Sequence, residues 1–125
     1  MRNFRTIEAV HTVVETPAYL ADAKHLGIPD ETRAAIVTAV SAEPRLGALL
    51  VGTGGCRKFR WAKEGKGKSG GVRIVSFFGD EEMPVFLLAI FAKNEKASLT
   101  RAEANDLATF TRLLTDTYRR RGSTR

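Results

Sequence analysis

Residues 56–73 read C-R-K-F-R-W-A-K-E-G-K-G-K-S-G-G-V-R, and this stretch decides how the rest of the chain can fold. Phe59 and Trp61 alternate with Lys58 and Arg60 along it. Because successive side chains of a strand point to opposite faces, the alternation predicts a strand with an aromatic core face and a cationic face. The glycine-rich run that follows predicts a basic loop.

The chain beyond this loop predicts two further strands. V-R-I-V-S-F-F (72–78) is the first, and V-F-L-L-A-I-F-A (85–92) is the second. The second is apolar at nearly every position, which is typical of a strand in the middle of a sheet and covered on both faces. Three consecutive strands joined by short turns predict an antiparallel meander.

The flanking segments predict one further strand and three helices. H-T-V-V-E-T (11–16) is rich in β-branched residues and predicts a first strand. Thr16 with Pro17 predicts the start of a short helix that ends at Gly27, and a second helix is expected from Pro29 to the E-P-R at 43–45. Near the other end, a capping box predicts a helix on which apolar residues recur at helical spacing. The box is Thr100 with Glu103, and the apolar residues are Leu107, Phe110, Leu114 and Tyr118.

The predicted order is β-α-α-β-β-β-α, an α+β fold in which a small, mainly antiparallel sheet packs against helices. We expect one domain over residues 1–125, with a loose N-terminal arm at 1–9 and a basic C-terminal tail at 119–125. The length is ample for one hydrophobic core. A single cysteine excludes an internal disulfide, and no apolar run of signal-peptide or membrane-spanning type occurs, which predicts a cytoplasmic protein without a membrane partner.

All of the net charge of +6 lies in the stretch 56–73, which holds seven basic residues and one acidic residue. The other 107 residues carry 13 basic and 13 acidic side chains. Crowded like charges are relieved when phosphates bind and counterions leave. The distribution therefore predicts a polyanionic partner.

Three motifs together resemble the RelE-like toxins of bacterial type II toxin-antitoxin systems, in particular their HigB-type branch. They are G-T-G-G-C-R-K-F-R-W-A, G-K-G-K-S-G-G-V-R-I-V-S-F-F and A-I-F-A-K-N-E-K-A-S-L-T, in that order. The resemblance implies the RelE-like fold and a metal-independent endoribonuclease that cuts mRNA at the 30S decoding site of the ribosome. It also implies a cognate helix-turn-helix antitoxin that holds the toxin inactive, and no small-molecule cofactor.

The resemblance also carries over site residues. Lys58 and Arg60 match the basic residues of the strand after the G-T-G-G turn, and Arg73 matches the arginine that opens the next strand. Where the best-known members place an arginine after the last strand, this chain has Asn94, so Lys93 is the expected substitute. Where they place a tyrosine, this chain has Thr100. Either lysines take over the proton transfer, or the activity is weak or altered.

RNA carries its own nucleophile, the 2′-OH, so a nuclease of this kind aligns it, moves protons and stabilises charge on the phosphate. Arginines suit charge stabilisation because a guanidinium stays protonated and grips phosphate with two hydrogen bonds. A lysine crowded by other cations releases its proton more readily. We therefore predict catalytic roles for Lys58, Arg60, Lys68, Arg73 and Lys93, and RNA contacts for Arg57, Lys63, Lys66, Phe91 and Lys96.

Other interpretations stay open at this point. The loop lysines can merely solubilise the loop, and Phe59 and Trp61 can either stack on RNA bases or belong to the core. The whole protein can be a basic module that binds RNA without cutting it, or its basic face can serve an acidic antitoxin segment. The G-K-S at 67–69 is not a phosphate-binding loop, because glycines and a strand follow where a helix must begin.

Overall fold

The structure, a computed structural model, describes residues 11–62, 71–92 and 99–123. Within these ranges the strands are β1 (Val13–Glu15), β2 (Ala48–Leu49), β3 (Cys56–Trp61), β4 (Val72–Phe77) and β5 (Val85–Ala92), and the helices are α1 (Pro17–His25), α2 (Asp30–Ala42) and α3 (Arg101–Ser123). The strands form one sheet in the order β1-β5-β4-β3-β2. β1 runs parallel to β5, and the remaining neighbours are antiparallel.

The predicted α+β fold and the meander of β3, β4 and β5 are confirmed. Two details differ from the prediction. The short strand β2 pairs with β3 at a sheet edge, where glycines interrupt the sequence pattern. β4, and not β5, is the middle strand, because β1 adds only one strand beyond β5 while β3 and β2 lie on the other side.

The helix boundaries at the N-terminal side follow the predicted signals. The Thr16 hydroxyl accepts a hydrogen bond from the Tyr19 amide at 3.3 Å, and Pro17 occupies the first turn of α1. Gly27 has a φ of +71°, a conformation that suits glycine and ends the helix. α2 begins with Asp30 and Glu31, whose carboxylates favour the positive end of the helix dipole.

The sheet has a core on each face. α1 and α2 cover one face, where Tyr19, Ile36, Ile74 and Leu87 are fully buried. α3 covers the other face, where its Leu107, Leu114 and Tyr118 pack against Cys56, Val75, Phe77, Phe86 and Leu88. Burying both faces explains why the middle of the sheet reads as continuous apolar sequence.

A β-bulge in β5 reorients its last residues. Ser76 pairs with Leu87 while Val75 pairs with Ala89, so Leu88 is the extra residue. Because a strand alternates faces residue by residue, one extra residue exchanges the faces of everything that follows. Phe91 therefore lies on the α3 face of the sheet.

α3 departs from the prediction in two respects. Phe110 was expected in the core, but it is 42% exposed, and Thr111 takes the buried position. The helix also continues through Ser123, so residues 119–123 are helical where a basic tail was predicted. The predicted capping box is confirmed: the Thr100 amide donates to Glu103 Oε1 at 2.9 Å, and the Glu103 amide donates to Thr100 Oγ1 at 3.1 Å.

No helix in the described ranges combines the length and the apolar character that crossing a membrane requires.

Candidate functional site

The three strands of the meander bring two rows of predicted site residues together on the α3 face. Arg60, Arg73 and Phe91 are directly paired neighbours across β3, β4 and β5. In the adjacent row on the same face, Lys58 lies opposite Val75. Directly paired residues have Cβ atoms about 4.5–5.5 Å apart, so the four predicted side chains arise from one compact area of the sheet.

α3 covers only one end of this face. Its residues pack in one cluster with the row of Cys56, Phe77 and Phe86, at the start of β3 and the end of β4, and with Val75 in the next row. β3 runs from Cys56 to Lys58, opposite the buried Val75, and then to the exposed Arg60. The row of Arg60, Arg73 and Phe91 therefore lies at the end of the face away from Cys56. We call Lys58, Arg60, Arg73 and Phe91 the cationic face.

The cations of this face have no acidic partner within the described residues. Arg60 is exposed, whereas Lys58 and Arg73 are half-buried. No carboxylate of the described ranges forms an ion pair with any of the three. Arg73 Nη1 is buried, and no group of the described residues forms a hydrogen bond with it.

An unpaired buried donor is costly, and a charged donor is more costly still. An anion bound to the Arg73 guanidinium would supply a hydrogen-bond acceptor and a negative charge that compensates the arginine. A phosphate oxygen has the right chemistry, because guanidinium groups bind phosphate with short, charge-assisted hydrogen bonds. The cationic face is therefore suited to hold a phosphodiester.

Arg57 lies apart from the other predicted residues. Its period-2 position places it with Phe59 and Trp61 on the α1 and α2 face, and its Nη1 donates to the Gly47 carbonyl at 3.0 Å. The two aromatic residues belong to the core of that face, which was one of the two interpretations of their alternation. An RNA contact by Arg57 stays a prediction, but it would lie across the sheet from the cationic face.

Five predicted site residues lie outside the described residues. They are Lys63, Lys66 and Lys68 in the segment 63–70, and Lys93 and Lys96 in the segment 93–98. These segments follow the ends of β3 and β5 that carry Arg60 and Phe91. Their proposed roles stay predictions.

Two other chemically active groups of the described ranges are buried or engaged. Burial raises the pKa of the Cys56 thiol from 9.0 to about 11, and a hydrogen bond with Thr53 opposes this in part. His11 Nε2 lies 2.9 Å from Glu81 Oε1, on the turn between β4 and β5. Among the described residues, no group of three or more His, Cys, Asp or Glu side chains can hold a metal ion.

One residue of the predicted apolar spacing on α3 is not buried. Phe110 was predicted to recur with Leu107 and Leu114 at helical spacing, yet its ring is partly exposed. Thr111 Oγ1 lies so close to Gly54 that a Cβ atom on Gly54 would overlap it, and this tertiary contact leaves no signal in the sequence. Thr111 thus takes the inner position and rotates Phe110 toward the surface.

Comparisons with known proteins agree with this fold. A family model described as "RelE toxin of RelE / RelB toxin-antitoxin system" matches residues 17–121. A solved structure of the E. coli toxin RelE, a mutant with two arginines replaced by alanine in the free state, superposes with a TM-score of 0.51. The two chains are 18% identical, and the match covers 82% of this chain and 97% of that chain. At this identity the structural likeness concerns the fold.

Proposed function

The chain belongs to the RelE toxin family, and from this premise we propose that it is the toxin of a type II toxin-antitoxin system that inhibits translation by cleaving mRNA. The proposed enzyme is a metal-independent endoribonuclease that acts at the decoding site of the 30S subunit. Its proposed setting is the cytoplasm, where a cognate helix-turn-helix antitoxin holds it inactive. The order of the three sequence motifs supports the HigB-type branch of the family.

One observation carries the proposal: three cations lie on adjacent strands of one sheet face, and none pairs with a carboxylate of the described chain. Within the described residues no carboxylate competes for the three cations, which leaves them available for an external anion. An RNA backbone is such an anion.

The chemistry follows from what RNA supplies. The 2′-oxygen attacks the adjacent phosphorus while its proton passes to a base, and the bond from phosphorus to the 5′-oxygen breaks. The leaving 5′-oxygen takes a proton from an acid, so the products are a 2′,3′-cyclic phosphate and a 5′-hydroxyl. Negative charge grows on the phosphoryl oxygens during the attack, and fixed cations stabilise it. Arg60 and Arg73 take this role.

Lys58 is the proposed proton-transfer residue among those described. It lies one row from Arg60 on the same strand and face, so it can approach the phosphate that the arginines hold. Lys68 and Lys93 are proposed to share this task, and Phe91 and the loop lysines to bind the RNA. General acid-base groups contribute about a hundredfold to ten-thousandfold each, so one lysine can decide the rate.

The experiment is mRNA cleavage in a purified translation system, read out by primer extension. Arg73→Ala and Arg60→Ala should each slow cleavage by at least about a hundredfold, a loss typical of removing one charge-stabilising donor. Arg45→Ala is the charge-matched control, because Arg45 is exposed and contacts Phe78 and Glu81 away from this face. Equal losses in all three variants would contradict the proposal.

Lys58→Arg separates charge from proton transfer. Arginine keeps the positive charge but does not release a proton near neutral pH. Cleavage should fall about as far as with Lys58→Ala if the lysine exchanges a proton. Retention of most activity by Lys58→Arg would reassign Lys58 to charge stabilisation and would leave the nuclease proposal intact.

A second candidate function is a toxin that occupies RNA or the ribosome without cutting. Thr100 favours it, since this residue stands where the resemblance places a tyrosine and its hydroxyl accepts the helix-capping bond. The same translation assay discriminates the two functions. A binder stops synthesis while the mRNA stays whole, whereas the enzyme shortens the mRNA.

A further inference from the structure

Phe110 is a partly exposed aromatic residue whose position on α3 is set by its neighbours. The opposite flank of the helix faces the turn before β3. There, a Cβ atom on Gly52 would lie 3.9 Å from Ala104 Cβ, and the Thr111 hydroxyl lies 3.2 Å from the Thr53 carbonyl oxygen. Ala104, Ala108 and Thr115 share that flank, since positions three, four and seven apart lie on one side of a helix.

The flank that bears Phe110 therefore faces the other way along the strands. Leu107 and Leu114, one turn before and after Phe110, point down onto the core row of Cys56 and Phe77. From this row β3 continues to Lys58 and Arg60. Helix geometry therefore directs the flank that bears Phe110 toward the Lys58 and Arg60 side of the sheet.

The combination of an exposed aromatic ring and unpaired cations is typical of surfaces that bind single-stranded nucleic acid. Cations follow the phosphates, while aromatic rings stack on the bases. The other exposed apolar residues of the described ranges do not lie beside these cations. Leu113 is 59% exposed but points farther from the sheet, and Val51 is 96% exposed at the sheet edge beside β2.

We propose that Phe110 is a nucleobase-stacking subsite beside the cationic face. It rests on the proposed RNA function and extends it. Arg60 and Arg73 hold one phosphate, and the Phe110 ring stacks on a base of a nearby nucleotide. The ring thereby sets where the RNA strand leaves the sheet, which affects affinity and base preference more than the chemical step.

The test is binding of a fluorescein-labelled single-stranded RNA of about ten nucleotides, measured by anisotropy at several salt concentrations. Phe110→Ala should weaken binding about tenfold, since stacking is worth about 1–3 kcal/mol per base. Leu113→Ala is the matched control and should change binding less than about twofold. Phe110→Trp should bind RNA about as tightly as wild type, because a larger ring preserves stacking. Circular dichroism confirms that each variant is folded.

The salt dependence gives a second readout. Phe110→Ala should leave the slope of log Kd against log salt unchanged, because a stacked base releases no counterion. Arg60→Ala should lower that slope by about one, as expected for the loss of one phosphate contact. A reduced slope for Phe110→Ala would overturn the stacking role.

The remaining outcomes separate this inference from the proposed function. If wild type cleaves mRNA and Phe110→Ala binds RNA as Leu113→Ala does, only the stacking subsite is wrong. If Phe110→Ala keeps RNA affinity but loses the antitoxin in gel filtration, the ring belongs to a protein interface and the inference is again wrong. If wild type neither binds nor cleaves RNA, the proposed function fails first, independently of Phe110.

Discussion

Arg60 and Arg73 lie directly opposite each other across the β3–β4 ladder, and no carboxylate of the described chain pairs with either. Like charges in such a cross-strand position destabilise a sheet, by amounts of about 0.2–1 kcal/mol. The arrangement is therefore unfavourable for folding alone. It is explained if the two guanidinium groups bind one shared anion, because the anion attracts both groups and offsets the repulsion between them.

The pairing of Arg60 with Arg73 predicts that removal of the Arg73 guanidinium raises stability and lowers activity. Arg73→Met keeps most of the apolar body of the side chain and removes both the charge and the buried Nη1. We expect the free energy of unfolding to rise by about 1 kcal/mol, because a buried polar atom without a partner is lost. Cleavage should fall at least about a hundredfold. Urea unfolding and primer extension measure the two effects.

Arg33→Met is the control for Arg73→Met, because it removes an arginine that is paired with a carboxylate. Arg33 Nε donates to Glu15 Oε2 at 3.0 Å, so its removal leaves a half-buried carboxylate without its partner. This variant should lose stability and keep its activity when folded. Destabilisation by both substitutions would show that the Arg73 guanidinium is satisfied in the native protein.

A second prediction concerns Tyr19, which is fully buried with a hydroxyl that has no hydrogen-bond partner. Tyr19→Phe should leave the free energy of unfolding at pH 7 unchanged or raise it by up to about 1 kcal/mol. The ring keeps its packing, and only the unsatisfied oxygen is removed. Chemical unfolding of both proteins measures the difference.

The same residue predicts a pH dependence. Burial, with a smaller contribution from Glu15, raises the pKa of Tyr19 from 10.0 to about 12. Between these values the folded protein keeps the proton while the unfolded chain releases it. The stability linked to Tyr19 is therefore fully present below pH 10 and is lost as the pH rises through 12. Wild type should lose stability relative to Tyr19→Phe over this range, and parallel curves would contradict the raised pKa.

The sheet and its cationic face follow from local patterns that the sequence shows. Period 2 separates Lys58 and Arg60 from Phe59 and Trp61, and the meander puts Arg73 on the next strand. What the patterns do not contain is the pairing register across the loop between β3 and β4, which decides that Arg60 meets Arg73. The bulge at Leu88 is equally hidden, because an apolar run looks the same with or without an extra residue.

The position of Phe110 shows why helix faces are harder to predict than strand faces. A period of 3.6 residues allows either 110 or 111 to complete the inner stripe with Leu107 and Leu114. The turn that approaches α3 favours 111, since Gly54 has no side chain and thereby makes room for Thr111 against the turn. A tertiary contact of this kind, 57 residues apart in the chain, has no local signature.

A third prediction tests that contact with two glycines of similar backbone conformation. Gly54 and Gly27 have φ values of +79° and +71°, but a Cβ atom on Gly54 would overlap Thr111 Oγ1, whereas Gly27 has open space around it. Gly27→Ala should cost about 1 kcal/mol from backbone strain alone. Gly54→Ala should cost at least about 1 kcal/mol more, because the Thr111 side chain must move.

The double variant Gly54→Ala with Thr111→Ala isolates the overlap. Removing the hydroxyl clears the space, so the combined loss of unfolding free energy should be smaller than the sum of the two single losses. Strict additivity of the two losses would show that α3 moves away from the turn instead.

A fourth prediction concerns the reactivity of Cys56, the chain's one cysteine. Because burial raises its pKa to about 11, the thiolate that reacts with disulfide reagents is scarce below pH 9. Labelling with Ellman's reagent at pH 8 should proceed only as fast as the protein opens. The rate should rise sharply in urea, and labelling of native protein at the rate of a free thiol would contradict this.

The final prediction tests whether the Thr100 hydroxyl takes part in proton transfer. Its hydroxyl and amide both take part in the capping box with Glu103, so Thr100→Ala should lower the free energy of unfolding by about 1 kcal/mol. Thr109→Ala, on the exposed middle of α3, is the matched control and should cost nothing. If lysines move the protons, Thr100→Ala cleaves mRNA at the wild-type rate wherever it is folded. A loss beyond about tenfold, below its unfolding transition, would exceed what a cap contributes and would assign the hydroxyl to the chemistry.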